Sequence, residues 1–221
     1  MNRFLIFIFF IPLYSVSQVN NQDFGSWLKT SFEYKLNKKI SFENKTEVRT
    51  FDNSTQEKQI YTQFSSKLKF NKHISTLVAL RLKFVNEEYG HEMQNRIHND
   101  LNYKQNWKIG RWNTLTFYFR LRTQLNVVSN DLNELHERIR LKLKYRINNR
   151  LNSFIYDEWY LLMNNYQNNP IYTKNRLGVG FNYELNNYFS IQLKYLRITD
   201  VNVTYPQTMN VLGLGITHKL N

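Results

Sequence analysis

The stretch HERIRLKLKYRI, His136 to Ile147, alternates basic or imidazole side chains with apolar ones, interrupted only by Glu137. A period of two is the period of a β-strand, because successive side chains leave a strand on opposite faces. On a helix the same residues would scatter charge around the whole circumference. The segment therefore predicts a long strand with one cationic face and one apolar face.

The same alternation recurs along the chain and gives about eleven candidate strands. The segment around Ile155–Leu162 is the least regular, because aromatic residues stand on both of its faces. Two other all-β folds fit this pattern less well. A soluble sandwich usually has shorter strands, and a lipocalin-like barrel has about eight strands with its apolar face turned inward. The clearest examples of the alternation are Ser26–Leu36, Ile74–Phe84, Asn113–Leu125, Asn175–Leu185 and Leu212–Leu220.

The segments between these strands are expected to alternate between short turns and longer polar loops. This arrangement is typical of an outer-membrane barrel whose short turns face the periplasm and whose long loops are extracellular. We therefore predict an all-β, transmembrane, antiparallel up-and-down β-barrel of about 10–12 strands. Short turns are predicted at 37–39, 71–73, 108–110, 148–150 and 186–188, and longer loops at 52–57, 86–93, 126–133, 164–171 and 199–208.

Eleven strands conflict with the even count that single-chain bacterial barrels normally have. With the C-terminus in the periplasm, the first of eleven strands would begin on the outside. Ten or twelve strands would remove the conflict, and so would an N-terminal segment that enters through the lumen. The sequence leaves these alternatives open.

The N-terminus has the three parts of a secretory signal peptide. Asn2-Arg3 is a short positive region, Phe4–Leu13 is apolar, and Ser15–Ser17 supplies small residues for cleavage. The apolar run is too short to cross a bilayer as a helix. We therefore predict a signal peptide over residues 1–17, one barrel domain over 18–221, and localisation in the cell outer membrane. The chain has no cysteine, which excludes disulfides and thiolate metal sites.

Several of these segments resemble one family of outer-membrane β-barrels, found mainly in Bacteroidota and catalogued as domain of unknown function 2490. The resemblance implies an exported barrel and supplies no catalytic residues. It rests on DEWYLLMN (Asp157–Asn164), NRLGVGFNYELNNYFSIQLKYL (Asn175–Leu196), MNVLGLGITHKL (Met209–Leu220), the opening FGSWLKTSFEYKLNKKISFENKTEVRTF (Phe24–Phe51), and the arginine-rich HERIRLKLKY.

Lys and Arg together exceed Asp and Glu by 13 in this chain. If the apolar faces meet lipid, the charged faces line the lumen, where rings of Arg and Lys favour anions. This predicts a narrow anion-preferring pore or a ligand pocket. The alternative is a structural or scaffolding barrel, in which side chains and arginine–carboxylate networks plug the lumen. The candidate anion-lining residues are Arg120, Arg122, Arg138, Arg140, Lys142, Lys144 and Arg176.

An outer-membrane lipid hydrolase is a second alternative, because some barrels of this kind are enzymes. Nucleophilic hydrolysis needs a serine beside an oriented histidine. None of the five histidines stands in such a pattern, and the loop acids near His91 and His136 are more commonly solvated charges than metal ligands. We therefore predict no enzyme activity, no catalytic residues, no cofactor and no metal site.

The expected partners are outer-membrane lipids and lipopolysaccharide, with small anionic solutes as candidate ligands. Export makes nucleic acid an improbable partner for the positive charge. The glycine pairs Gly178/Gly180 and Gly213/Gly215 each lie on one strand face, which suits bends or a crowded lumen wall. Four tryptophans are predicted to lie in aromatic girdles at the membrane interfaces: Trp27, Trp107, Trp112 and Trp159.

Overall fold

The two-residue period of the sequence becomes a series of long strands in the computed structural model, which describes residues 21–87, 90–110, 113–128, 133–164 and 171–220. The predicted signal peptide and Trp112 lie outside these ranges. Within them the chain forms eleven strands: β1 (Asn21–Lys35), β2 (Ile40–Phe51), β3 (Gln56–Lys69), β4 (Ile74–Glu87), β5 (Gly90–Lys108), β6 (Thr114–Val128), β7 (Glu134–Arg146), β8 (Leu151–Leu162), β9 (Ile171–Glu184), β10 (Phe189–Asp200) and β11 (Gln207–Leu220).

The strands close into one barrel in which each strand pairs with its neighbours in the sequence. These neighbouring strands are antiparallel, but the barrel closes between β1 and β11, which run parallel from Asn21↔Gln207 to Tyr34↔Leu220. The prediction of a wholly antiparallel barrel is therefore wrong at this seam. An odd number of alternating strands leaves the first and last strands running in the same direction, so only a parallel pairing closes the ring.

Burial alternates along the strands with the predicted period. In β9, Leu177, Val179 and Phe181 are exposed on the outer face, whereas Gly178 and Gly180 are buried on the inner face. The strands contain 12 to 19 residues, more than the roughly 9–11 that a tilted strand needs to cross the hydrocarbon core of a bilayer. Among the described residues, no helix is long and apolar enough to span a membrane.

Four of the short turns are held by the same asparagine motif. The Oδ1 atom of Asn37 accepts hydrogen bonds from the backbone N–H groups of Lys39 and Ile40, both at 2.8 Å. Asn71, Asn148 and Asn186 accept the equivalent pairs of bonds in their own turns. An asparagine side chain that mimics a backbone turn in this way explains why these positions reverse the chain in so few residues.

Four of the five predicted long loops are shorter in the structure, because the flanking strands extend into 52–57, 86–93, 126–133 and 199–208. Strand pairing continues to Glu87↔Gly90, so most of 86–93 belongs to β4 and β5. The connection after β2 covers only residues 52–55, where Asp52, Asn53 and Ser54 adopt positive φ angles. Short polar side chains tolerate this backbone conformation better than other non-glycine residues. The contrast between short turns and long loops is therefore weaker than the sequence predicts.

The barrel interior contains a small apolar cluster. Trp27, Leu196, Ile198 and Val211 are each at most 7% exposed, and Tyr156 and Met209 pack against them. The predicted interfacial position of Trp27 is therefore wrong, because its ring lies inside the barrel. The alternation around it already indicated this, since Trp27 shares a strand face with Lys29 and Ser31. On the outer face, Trp107 is 46% exposed, as expected of a girdle residue.

Candidate functional site

Arginines stand directly opposite each other at three places on the inner face of the barrel. Their cross-strand partners in the register are Arg120↔Arg140 and Arg122↔Arg138 between β6 and β7, and Arg81↔Arg96 between β4 and β5. Like charges directly opposite on one face of a sheet destabilise it. Each pair therefore needs compensating groups from elsewhere in the interior.

Two buried carboxylates compensate the arginines of β6 and β7. Asp100 on β5 accepts hydrogen bonds from Arg122 Nε at 2.5 Å and Nη2 at 2.7 Å, and lies 3.7 Å from Arg120 Nη1. Glu158 on β8 pairs with Arg120 and with Arg138, whose Nη2 is 2.9 Å from Oε2. All five residues are at most 7% exposed. Three arginines therefore share two carboxylates.

Aromatic rings hold many of the interior cations. The guanidinium carbon of Arg138 lies 4.0 Å from the centre of the Tyr160 ring, and Lys142 Nζ lies 4.2 Å from that of Phe154. A cation over an aromatic face is attracted by the ring quadrupole, and the ring adds no negative charge. Further contacts place Arg49 on Trp27, Arg49 and Arg81 on Tyr61, Arg140 on Tyr156, and Arg176 on Trp27 and Tyr160.

All seven residues predicted to line the lumen lie on the inner face. Arg120, Arg122 and Arg138 form the buried network with the carboxylates, whereas the other four have no ion pair within 4.0 Å among the described residues. Arg176 of β9 reaches towards Trp27 of β1, which is not a neighbouring strand, so these two side chains meet inside the barrel. The residues outside this network are Arg140, Lys142, Lys144 and Arg176.

The aromatic partners were missed by the sequence prediction, although a signal for them exists. Tyr61, Phe154, Tyr156 and Tyr160 occupy the same alternating face as the charged residues around them. The prediction considered only the charged residues of that face and not its aromatic residues. The irregular segment around β8 is regular in the structure, with Tyr156, Glu158 and Tyr160 turned inward and Ile155 and Trp159 turned outward.

The four histidines whose side chains are described lie in three kinds of environment. His73 and His218 contact aromatic rings, His136 Nε2 lies 3.0 Å from Glu134 Oε2, and His98 is buried inside the barrel. The side chain of His91 lies outside the described residues. In the part of the chain that is described, no histidine is hydrogen bonded to a serine and no group of three potential ligands is arranged for a metal ion.

A cleft of about 400 Å³ opens on the outer face near the short turns. Its wall is mainly apolar and includes Phe32, Phe42 and Phe64, beside Ser66 and Leu220. Phe32 and Phe64 are 44% and 58% exposed, so the cleft belongs to the apolar exterior. Among the described residues, no arginine lines it.

Comparison with protein families places the chain in one of them. A protein-family model described as "Protein of unknown function (DUF2490)" matches residues 24–208, from β1 to the start of β11. No curated protein matches the sequence at significant similarity.

Proposed function

The chain belongs to the family described as "Protein of unknown function (DUF2490)", and we propose that it is an outer-membrane barrel whose cationic lumen admits and binds small anions. The proposal has two parts, the membrane location and the selectivity of the interior. Each part depends on a different face of the same strands.

The outer face supports the membrane location. Large apolar side chains are exposed on every strand except β6, whose outward apolar residues are half-buried; examples are Leu28, Phe64, Leu141 and Leu214. An exposed apolar surface of this extent around a closed barrel is unfavourable in water and favourable against lipid. Outer-membrane lipids and lipopolysaccharide are therefore the partners we propose for this surface. Recovery of the chain in the outer-membrane fraction would support the location, and recovery in the soluble periplasm without detergent would contradict it.

The inner face supports anion selectivity through its excess of cations. Three arginines share Asp100 and Glu158, and several inner-face lysines have no carboxylate within 4.0 Å among the described residues. A narrow space lined by one sign of charge concentrates counter-ions, most strongly at low salt. This imbalance is the observation that carries the proposal. The lysines concerned are Lys29, Lys142, Lys144 and Lys194.

A structural barrel with a filled lumen is the second candidate. Trp27, Tyr61, Leu196 and Val211 point inward and are between 0% and 6% exposed. Small barrels are narrow enough for their own side chains to fill the interior. In that case the arginine network stabilises a scaffold, and ions do not cross the barrel.

Reconstitution in planar bilayers under a salt gradient separates these candidates. We expect the wild-type reversal potential to indicate anion preference, and Arg138→Glu with Arg140→Glu to lower or reverse it. The matched control is Lys38→Glu with Lys39→Glu, which makes the same change in charge at an exposed turn and should leave the preference nearly unchanged.

Heat-modifiable gel mobility checks that each variant is folded before it is measured. If the arginine variant does not fold, Lys142→Glu with Lys144→Glu changes the same face without breaking the carboxylate network. A cation-selective wild type would contradict the proposal. A folded wild type that does not conduct would favour the filled scaffold.

A further inference from the structure

Arg81 and Arg96 form the one cross-strand arginine pair described above that does not contact a carboxylate directly. They are register partners on β4 and β5, and Arg81 is only 5% exposed. The two arginine pairs of β6 and β7 lie beside Asp100 and Glu158. No ion pair involves Arg81 or Arg96 among the described residues. The positive charge of this pair is therefore not compensated by a carboxylate in direct contact.

Neutral amides occupy the positions where acids would be expected. Gln63 Oε1 accepts hydrogen bonds from Arg81 Nε at 3.0 Å and Nη2 at 2.7 Å. Asn126 Oδ1 accepts one from Arg96 Nε at 2.7 Å, and its own amide nitrogen donates to Glu134 at 2.9 Å. The carboxylate of Glu134 is therefore linked to Arg96 only through Asn126. An amide oxygen orients a guanidinium group but does not neutralise its positive charge.

Two buried acids of this region are already paired with other arginines. Asp100 is on the same strand face as Arg96, but it is held by Arg122 and Arg120. Glu47 on β2 is paired with Arg49 at 2.6 Å. Moving either carboxylate towards Arg81 or Arg96 would leave another arginine without its partner.

His98 gives an independent indication that a ligand belongs here. It lies two residues from Arg96 on the same strand face, and its cross-strand partner Ala79 lies two residues before Arg81 on β4. The residue is 2% exposed, and neither ring nitrogen has a hydrogen-bond partner among the described residues. A buried imidazole has at least one N–H to donate, and leaving it unsatisfied costs free energy.

We propose that Arg81, Arg96 and His98 form a binding site for a compact tetrahedral oxyanion of the phosphate class. The proposal rests on the proposed function, because it uses the same cationic interior, and it gives that interior a specific ligand. The two guanidinium groups supply charge-assisted donors, for which phosphate has matching acceptor oxygens. His98 donates its ring N–H to a further oxygen. The bound anion then separates the two opposed arginines.

Isothermal titration calorimetry with inorganic phosphate tests the site on the purified full chain in detergent micelles. Titration with chloride at matched ionic strength distinguishes binding from screening. Arg96→Gln should weaken phosphate binding by about tenfold or more, because a charge-assisted hydrogen-bond donor is lost. His98→Phe should weaken it less. The matched control is Arg197→Gln, since Arg197 is exposed on the outer face and its loss should leave binding unchanged.

If Arg96→Gln does not fold, Arg96→Lys replaces it in the test, because lysine keeps the positive charge but lacks the bidentate donor geometry of arginine. This variant should also weaken phosphate binding. Phosphate binding that is equally strong in the Arg96 variants and the wild type, or absent from a folded wild type, would overturn the site. Bilayer conductance is measured separately. A wild type that binds phosphate but does not conduct would contradict the proposed passage of anions and support the phosphate site. Anion-selective conductance without phosphate binding would support the passage and contradict the site.

Discussion

The two walls of the barrel interior differ in the residues that they carry. The charged wall, formed by β5 to β8, holds the buried ionic network, centred on Asp100, Arg122 and Glu158. The glycine wall, formed by β9 to β11, has mainly small or apolar residues, including the buried Leu196 and Val211, although Arg176 and Lys194 also point inward from it. Its inward-facing glycines are Gly178, Gly180, Gly213 and Gly215.

The difference shows how a narrow barrel accommodates large charged side chains. A Cβ atom on Gly178 would overlap the ring of Tyr156, and one on Gly215 would come within 2.7 Å of Lys29 Cε. The glycine wall therefore provides the space into which long side chains of neighbouring strands extend. Charge on one wall and small residues on the other are two parts of one packing arrangement.

The largest effect is expected where the charged wall loses a carboxylate. Glu158→Gln removes the carboxylate that Arg120 and Arg138 share, and removing one partner of a buried ion pair costs about 3–5 kcal/mol. Urea titration of the folded band on a gel measures the change. Glu184→Gln is the control, because Glu184 is half-buried on the glycine wall and has no ion pair among the described residues. Equal effects of the two substitutions would show that the ionic network does not make the charged wall more sensitive than the glycine wall to loss of a carboxylate.

A somewhat smaller effect is expected on the outer side of the charged wall. Leu141 is 37% exposed on β7, and Leu141→Arg should destabilise the membrane-inserted barrel by roughly 2–4 kcal/mol if this position lies near the bilayer midplane. Lys142 is the next residue and points to the inner face. Lys142→Gln should lower the free energy of unfolding less, because it removes only a cation–ring contact. Unfolding from lipid vesicles compares the two variants. A larger effect at Lys142 would mean that the faces are assigned the wrong way round.

The smallest effects are expected on the glycine wall, and they should differ between positions. A Cβ on Gly180 would meet the backbone oxygen of Leu193 and approach Phe154 Cζ to 2.8 Å, whereas one on Gly213 would meet only the flexible side chain of Lys194. Gly180→Ala should therefore cost about 1–3 kcal/mol, as overpacking does, and Gly213→Ala distinctly less. The same unfolding assay measures both. A more damaging change at Gly213 would contradict this account of the wall.

The strands and their faces follow from the sequence because side-chain alternation is a local property. Each of the seven predicted lumen residues, from Arg120 to Arg176, is on the inner face for this reason. The asparagine turns are similarly local. Four of the long loops were predicted to be too long because polar residues were interpreted as loop. Polar segments can pair as strands as well as apolar ones do, and β4 and β5 pair in this way up to Glu87↔Gly90.

The features that the sequence does not reveal depend on which strands meet. The parallel seam between β1 and β11 follows from closure of the ring, which no single segment encodes. The contact of Arg176 with Trp27 crosses the interior between strands that are far apart in the sequence. The arginine pairs depend on register, so the difference between Arg120, which has carboxylates, and Arg96, which has an amide, becomes visible only in the structure.

The central claim is that lipid contacts the apolar face and the charged face lines the interior, and labelling of β7 tests it most directly. The chain has no cysteine, so single cysteines can be placed one at a time over residues 139–144 and labelled with a small fluorophore. Brominated lipids quench a fluorophore only where it contacts the acyl chains. We expect quenching to alternate, strong at Ile139, Leu141 and Leu143 and weak at Arg140, Lys142 and Lys144. Uniform quenching along the strand, or the opposite alternation, would contradict the account.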